Sequence, residues 1–210
     1  MKEIILDTET TGLSVKDGHR IVEIGCIELD NLVPTKNIFH CYLNPERKVS
    51  EKAFEVHGYS DQFLSTKKKF FEIADDFLNF IKDKKIIIHN AEFDISHLNN
   101  ELSIAGKPEI NKEHTVDTLD LARNKFPGSG ISLDALCKRF RIDNSKREKH
   151  TALIDCELLT KIYINLLDQK EPKLNFSKSY DINSVETQNK NIIYSKKIIY
   201  PTSEELKQHR

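Results

Sequence analysis

Features that mark several specialised protein classes are scarce or missing in this 210-residue chain. It has no tryptophan, and no apolar run approaches the ~20 residues that a membrane helix needs, so we expect no membrane segment. The N-terminal stretch MKEIILDTE becomes acidic too early for a signal peptide. The cysteines form neither a CxxC pair nor a zinc-binding spacing. They are Cys26, Cys41, Cys137 and Cys156. We therefore expect free thiols in a reducing cytoplasm.

Acidic residues, by contrast, recur in three short strings, each beside an apolar or helix-like segment. The strings are DTETTG with Asp7 and Glu9, HNAEFD with Asp94, and HTALID with His150 and Asp155. If a fold brought the four carboxylates together, each pair at about 5 Å would repel by roughly 3 kcal/mol at an effective dielectric near 20. Divalent cations would offset this repulsion, and oxygen-rich sites suit Mg²⁺ or Mn²⁺. The strings therefore predict a site for two such ions.

The spacing of these residues suggests a separate role for each. Asp7 is the best candidate to bridge two cations, and Glu9, two residues on, points to the same side of an extended segment. Asp94 and Asp155 would complete the metal shell from two helices. His150 would act as general base, because an unperturbed imidazole titrates near neutral pH. Together the five residues predict metal-dependent cutting of a phosphodiester.

The five-residue interval between His150 and Asp155 also predicts local structure. On one continuous helix the two side chains would lie about 140° apart. We therefore place His150 in a loop or first turn, with Thr151 as the N-cap of the helix that carries Asp155.

Three other polar residues stay outside the predicted site. Asp117 and Asp120 are better explained as groups that support the ligands or begin a helix. His97 lies on the same helical face as Asp94, but its polar neighbours 99–101 favour a solvated surface.

The three strings resemble the exonuclease motifs of the DEDDh superfamily, named after four acids and a histidine, and all five positions are filled here. Further strings resemble the family of proofreading epsilon subunits of bacterial DNA polymerase III, over nearly all of residues 1–167 and again near the C-terminus. They are AFEVHG (Ala53–Gly58), VDTLDLAR (Val116–Arg123), SLDALCKRF (Ser132–Phe140) and IDNSKR (Ile142–Arg147).

The resemblance implies a ribonuclease-H-like fold, two divalent metal ions and hydrolysis from the 3′ end of single-stranded DNA in a bacterial cytoplasm. It also implies that His57 contacts the substrate near the terminal nucleotide, beside Asp7, Glu9 and Asp155. Simple packing of His57 in its turn is the alternative.

Apolar patterning predicts an α/β domain over residues 1–167, with a mixed sheet flanked by helices, and the resemblance implies that this is the exonuclease domain. The predicted strands are Ile4–Leu6, Ile21–Leu29, Phe39–Leu43 and Ile86–Ile88. The predicted helices are Phe70–Ile81, Phe93–Ala105, Ser132–Phe140 and Ala152–Leu167.

Residues 168–210 read as a flexible C-terminal tail that binds partners. Ser177–Asn191 has the polar composition of a linker. The resemblance implies that Lys197–His209 binds the polymerase catalytic subunit. It implies a second contact, to the sliding clamp, through Leu174 and Phe176, although Glu171 stands where a glutamine is expected.

Charge supports the expectation of a partner independently. Residues 1–167 contain 24 basic and 27 acidic residues, a net charge of −3. Proteins that hold nucleic acid tightly replace counterions with basic side chains, and this domain has no such surplus. We therefore expect it to bind DNA weakly by itself and to need delivery to its substrate.

Two other functions remain open from the sequence. A DEDDh enzyme that trims RNA 3′ ends would share every residue of the predicted site. A non-catalytic scaffold that bridges polymerase and clamp would have no need of five intact positions.

Overall fold

A five-stranded sheet forms the centre of the protein, whose computed structural model describes residues 2–168. The strands are β1 (Lys2–Thr10), β2 (Ile21–Asp30), β3 (Val33–Tyr42), β4 (Lys85–Ile88) and β5 (Thr115–Asp117). They lie in the order β3-β2-β1-β4-β5. β2 pairs antiparallel with both β1 and β3, whereas β4 pairs parallel with both β1 and β5. The sheet is therefore mixed, as predicted.

Helices cover both faces of this sheet. Those that the described residues form are α1 (Glu51–His57), α2 (Asp61–Ser65), α3 (Ala74–Ile81), α4 (Ala91–Ile104), α5 (Thr118–Lys125), α6 (Leu133–Phe140) and α7 (Ala152–Leu166). Helix α4 is the crossover between the parallel strands β4 and β5, which a tight turn cannot join. No helix within residues 2–168 is long and apolar enough to cross a membrane.

The alternation of side chains along β1 produces two cores. Ile4 and Leu6 face one side, where they pack in a cluster with Phe77 of α3 and residues of α4. Ile5 faces the other side, in a cluster that contains Leu159 of α7 and residues of α5 and α6. Because β1 is buried on both faces, it reads in the sequence as a continuous apolar run.

The helix that we predicted over residues 70–81 is interrupted. A 3₁₀ turn (Phe70–Glu72) precedes α3, and the Glu72 carboxylate accepts the backbone N–H of Lys69 at 2.7 Å. Phe70 and Phe77 nevertheless contact each other in the same core, with ring centroids 6.2 Å apart. The helical spacing of these two residues therefore reflects their burial in one core, although they do not lie on one continuous helix.

Two further predictions met different outcomes. The cysteines are free thiols, as expected, and Cys26, Cys137 and Cys156 are buried. The predicted linker Ser177–Asn191 and the partner-binding segments Leu174–Phe176 and Lys197–His209 lie outside the described residues.

Candidate active site

Asp7 and Glu9 lie within β1 and not after it, because the strand is longer than predicted. Their backbones pair with β2, Asp7 opposite Gly25 and Glu9 opposite Glu23. Both side chains are half-buried and point to one side of the strand. Burial raises the pKa of Asp7, and the charges of Asp94 and Glu9 raise it further. Burial and the charge of Asp155 raise the pKa of Glu9 to about 8. The site therefore resists carrying its full negative charge.

Asp94 lies in the first turn of α4, next to β1. Its Oδ1 accepts both the backbone N–H and the hydroxyl of Thr8, at 3.0 and 2.7 Å. The residue is buried, with 3% of its surface exposed, and burial raises its pKa to about 7 although the bonds from Thr8 act in the opposite direction. Thr8 points to the face of β1 opposite to Asp7. The acids thus approach the end of β1 from two sides.

Asp155 and His150 lie on either side of the start of α7. The Thr151 hydroxyl accepts the N–H of Ile154, which confirms the predicted N-cap. His150 precedes the helix, outside any regular element, as predicted. Its Nδ1 lies 3.8 Å from Oδ2 of Asp155. Burial and the neighbouring guanidinium of Arg147 lower the pKa of His150.

Arg147 is a functional candidate that our reading of single residues missed. Its guanidinium donates to both oxygens of Asp155, at 2.5 and 2.7 Å, and to Nδ1 of His150 at 2.9 Å. It also pairs with Asp134 at 3.0 Å. The side chain is only 7% exposed, so the pair with Asp155 is shielded from water. The IDNSKR string contained the signal, but nothing in the spacing connected Arg147 to Asp155.

His57, at the end of α1, lines a cavity of about 440 Å³ together with Glu9, Thr10 and Leu13. The residue is 3% exposed, and its Nδ1 accepts the backbone N–H of Tyr59 at 3.0 Å. Its pKa is lowered, chiefly by burial. His57 is therefore both packed in its turn and placed beside the acids.

His97 was wrongly predicted to face solvent. It is 1% exposed and packs against Phe93, with ring centroids 4.5 Å apart. Its polar neighbour Glu101 is equally internal, because both of its oxygens pair with Arg20 at 2.6 and 2.7 Å. The polar residue Glu101 on α4 therefore forms a buried ion pair and does not mark a solvated face.

Asp117 and Asp120 stay outside the ligand cluster, in agreement with the sequence reading. Asp117 is the N-cap of α5, where it accepts the N–H of Leu119 at 2.8 Å. It also accepts the N–H groups of Asn90 and Ala91 at the start of α4, each at 3.0 Å. Asp120 is exposed and pairs with Arg123.

The donor set suits a hard divalent cation. Glu9, His150 and Asp155 each offer one ligand atom, and these atoms lie within 4.8 Å of one another. Asp7 and Asp94 line the same cavity of about 420 Å³ and add further carboxylate oxygens. Burial raises the pKa of Asp7, Glu9 and Asp94, so a divalent cation beside them would favour their charged forms. Oxygen-rich ligands of this kind favour Mg²⁺ or Mn²⁺ over softer metals.

Comparison with known proteins agrees with this geometry. Residues 4–163 match the exonuclease family model. The DNA polymerase III subunit epsilon of Rickettsia conorii (strain ATCC VR-613 / Malish 7) is 49% identical, over 100% of this chain and 94% of the relative.

Two solved structures share the fold. Exonuclease X in complex with 5′ overhanging duplex DNA matches with a TM-score of 0.61 and 25% identity, covering 80% of this chain and 92% of that one. The nuclease domain of 3′hExo, a DEDDh family member bound to rAMP, matches with a TM-score of 0.69 and 17% identity, again over 80% and 92%.

The fold and the family-model match thus define an exonuclease, of a class that depends on divalent metal ions. Sequence similarity over the whole chain is more specific. This chain belongs to the family of DNA polymerase III epsilon subunits, the 3′–5′ exonucleases associated with that polymerase.

Proposed function

We propose that this chain removes mispaired nucleotides from DNA 3′ ends with the five residues Asp7, Glu9, Asp94, His150 and Asp155 and two divalent cations. The observation that carries the assignment of these residues is their convergence. Three separate segments of the sequence, on β1, α4 and α7, bring four carboxylates and one imidazole to one cavity. Family membership supports the reaction, and the geometry supports the residues.

The four carboxylates would hold Mg²⁺ or Mn²⁺, with Asp7 at the centre of the set. When bound, a pair of such ions supplies an activated water and stabilises the charge on the phosphate and the leaving oxygen. Contacts within the chain position each carboxylate: β1 holds the backbones of Asp7 and Glu9, Thr8 donates to Asp94, and Arg147 donates to Asp155. Such positioning would reduce the reorganisation that metal binding requires.

His150 is the proposed general base, and Arg147 donates a hydrogen bond to the lone pair on its Nδ1. A guanidinium only donates hydrogen bonds, so Nδ1 of His150 accepts the bond from Arg147 and the neutral ring carries its proton on Nε2. Proton uptake at Nδ1 therefore requires Arg147 to release it. The lowered pKa keeps the imidazole neutral at pH 7, which a base needs.

His57 is the proposed contact for the terminal nucleotide. It lies in the wall of the cavity that Glu9 also lines, so a nucleotide in that cavity would have its scissile phosphate next to the acids. Asp7, Glu9 and Asp155 would contact the same phosphate through the cations.

DNA is the proposed substrate, because the relatives that match the full chain are polymerase subunits. Exoribonuclease activity is the second candidate, since the structurally similar 3′hExo domain is bound to rAMP. The sequence of the site does not separate the two.

The proposed protein partner is the polymerase catalytic subunit, bound through Lys197–His209. Leu174 and Phe176 are proposed to contact the sliding clamp. The net charge of −3 on residues 1–167 supports this dependence on partners, because such a domain gains little affinity from phosphate contacts.

A digestion assay tests these proposals together. The protein is given 3′-matched DNA, 3′-mismatched DNA and RNA oligonucleotides, with Mg²⁺, with Mn²⁺ or with chelator. We expect metal-dependent shortening from the 3′ end of DNA, faster at the mismatch, and none in Asp7→Ala or Asp155→Ala. Preferential digestion of RNA would favour the second candidate, and full activity of both variants would refute the site.

A further inference from the structure

Glu23 is a buried carboxylate to which the proposed mechanism gives no role. It lies on β2 directly opposite Glu9 and is 0% exposed. No described lysine or arginine pairs with it, and its charge raises the pKa of both Asp7 and Glu9. Adding another buried negative charge to an acid cluster costs stability. The hydrogen bonds that the carboxylate accepts must therefore offset this cost.

Glu23 accepts hydrogen bonds from three separate segments of the chain. Its Oε2 accepts the backbone N–H of Ala152 at 2.9 Å and the hydroxyl of Tyr59 at 2.8 Å. Its Oε1 lies 2.7 Å from the ring nitrogen Nε2 of His40. One side chain thus connects β2 to β3, to the segment after α1, and to the start of α7.

The bond to Ala152 fixes the segment that carries His150. Ala152 is the first residue of α7, where backbone N–H groups have no partner within the helix. Two residues along β2, a Cβ on Gly25 would lie 2.7 Å from the backbone of Ala152, so the helix start rests directly on the strand. His150 and Asp155 flank this anchored point.

The bond to Tyr59 fixes the segment that carries His57. The Tyr59 ring stacks on His57, with centroids 4.8 Å apart, and its backbone N–H donates to the same imidazole. The two histidine segments also touch each other, because the N–H of His150 donates to the carbonyl of Val56 at 3.2 Å. Glu23 therefore bonds both to the segment that carries His150 and to the segment that carries His57.

We propose that Glu23 is a positioning residue, which sets His150 and His57 relative to the acids by accepting the N–H of Ala152 and the hydroxyl of Tyr59. It does not line the cavity that the five proposed site residues share. The inference rests on the proposed function, because it assigns Glu23 to the alignment of the proposed base and the proposed nucleotide contact. What Glu23 supplies is the acceptor atom, and not its charge.

A pair of substitutions separates the acceptor from the charge. In Glu23→Gln the amide oxygen can accept from Ala152 and Tyr59, and the amide NH₂ can donate to His40 once that ring changes tautomer. Glu23→Met is similar in size and has no oxygen acceptor. We expect Glu23→Gln to keep kcat within about threefold of wild type. Glu23→Met should lower kcat on the order of 10²-fold, as a misplacement of about 1 Å would.

The second part of the experiment places both substitutions in a His150→Ala background. If Glu23 acts through His150, Glu23→Met should lower kcat less than about threefold further there. A similar kcat in both Glu23 variants, or the full loss in the His150→Ala background, would overturn the inference. Melting temperature and circular dichroism, measured on every variant, report whether each is folded.

Tyr59→Phe provides the test if Glu23→Met does not fold. It removes one donor, and the ring stacked on His57 and the bond from Ala152 both remain. We expect the KM for single-stranded DNA to rise roughly threefold or more, at nearly unchanged melting temperature, because a ring no longer bonded to Glu23 holds His57 less firmly. An unchanged KM would contradict the inference. Loss of digestion in wild type, or normal digestion in His150→Ala, would instead show that the proposed function has failed.

Discussion

At the scale of single residues, the carboxylates of the acid cluster repel one another when charged, but must be charged to bind a metal ion. Burial pushes Asp7, Glu9 and Asp94 towards their neutral forms, and the charges of neighbouring carboxylates add to this effect. Asp155 differs from them, because Arg147 already compensates its charge. Among the described residues, Asp155 therefore forms an ion pair with an arginine, whereas the other three carboxylates form none.

The metal-free protein should lose stability as pH rises from about 5 to 8. Glu9 has a folded-state pKa of about 8 against an ordinary value of 4.5. A raised pKa means that folding is favoured below the ordinary value and that this advantage is lost as pH rises towards 8. Melting temperatures measured in chelator should show the decline. Millimolar Mn²⁺ should reverse it, by up to about 2.7 kcal/mol at a hundredfold excess over Kd.

Two variants test the origin of this slope. Glu9→Gln should make it shallower, because one of the titrating groups is gone, while Asp94, with its pKa raised to about 7, still titrates in this range. Glu28→Gln is the matched control: bonds from Lys84 and other donors lower the pKa of Glu28 to about 2, so its contribution is lost only as pH falls from 4.5 towards 2. Equal slopes between pH 5 and 8 in wild type and Glu9→Gln would contradict the explanation.

His150→Ala should lower kcat by about 10²–10⁴-fold, the usual contribution of a general base. Metal affinity, measured by calorimetry, should change little. The wild-type rate should rise with pH through an apparent pKa below the ordinary 6.5 of histidine, since burial and Arg147 both favour the neutral ring. A variant that loses Mn²⁺ affinity instead would identify His150 as a ligand, which its distance to Glu9 and Asp155 also permits.

At the scale of elements, Asp117 joins β5, α4 and α5 at one point. Three backbone N–H groups from two helix starts converge on its carboxylate. One of these helices carries Asp94, so the position of a proposed ligand depends on a side chain 23 residues later in the sequence. This is a long-range cap rather than a local one.

Asp117→Ala should destabilise the fold by roughly 2 kcal/mol, because it removes an N-cap and leaves further N–H groups without a partner. Denaturant unfolding measures the loss. Asp120→Ala is the control, since Asp120 is exposed and its pair with Arg123 should contribute less than about 0.5 kcal/mol. Equal effects of the two substitutions would show that the cap has no special importance.

At the scale of the whole molecule, charge and composition differ between residues 1–167 and the remainder. The first part contains all five proposed site residues and a net charge of −3. The second part is polar, with short apolar stretches that the site does not use. A tethered domain gains effective concentration at its substrate without gaining affinity.

A chain ending at Leu167 should therefore cleave short single-stranded DNA at the wild-type rate, because its site is intact. It should no longer co-purify with the polymerase catalytic subunit. Ile199→Asp in the full chain should reproduce this loss by placing a charge among the apolar residues Ile198, Tyr200 and Leu206. Tight binding of the polymerase by the shortened chain would place the contact on residues 1–167 instead.

The sequence by itself determined the fold class, the family and the candidate acids. These are local signals: the apolar run of β1, the N-cap Thr151, and short strings of acidic residues beside apolar segments. Local spacing also sufficed to keep His150 off the helix that carries Asp155, because helix geometry is fixed by the backbone alone.

Only the tertiary structure decided which distant side chains meet. The pairs of Arg147 with Asp155, Glu101 with Arg20 and Glu23 with Ala152 join residues on different elements, and no periodicity encodes them. Polar letters in the sequence do not distinguish a solvated side chain from one whose hydrogen bonds are satisfied inside, which is why His97 was misplaced. Burial and partner choice depend on how β1, β2, α4 and α7 pack, and that packing is a property of the folded chain as a whole.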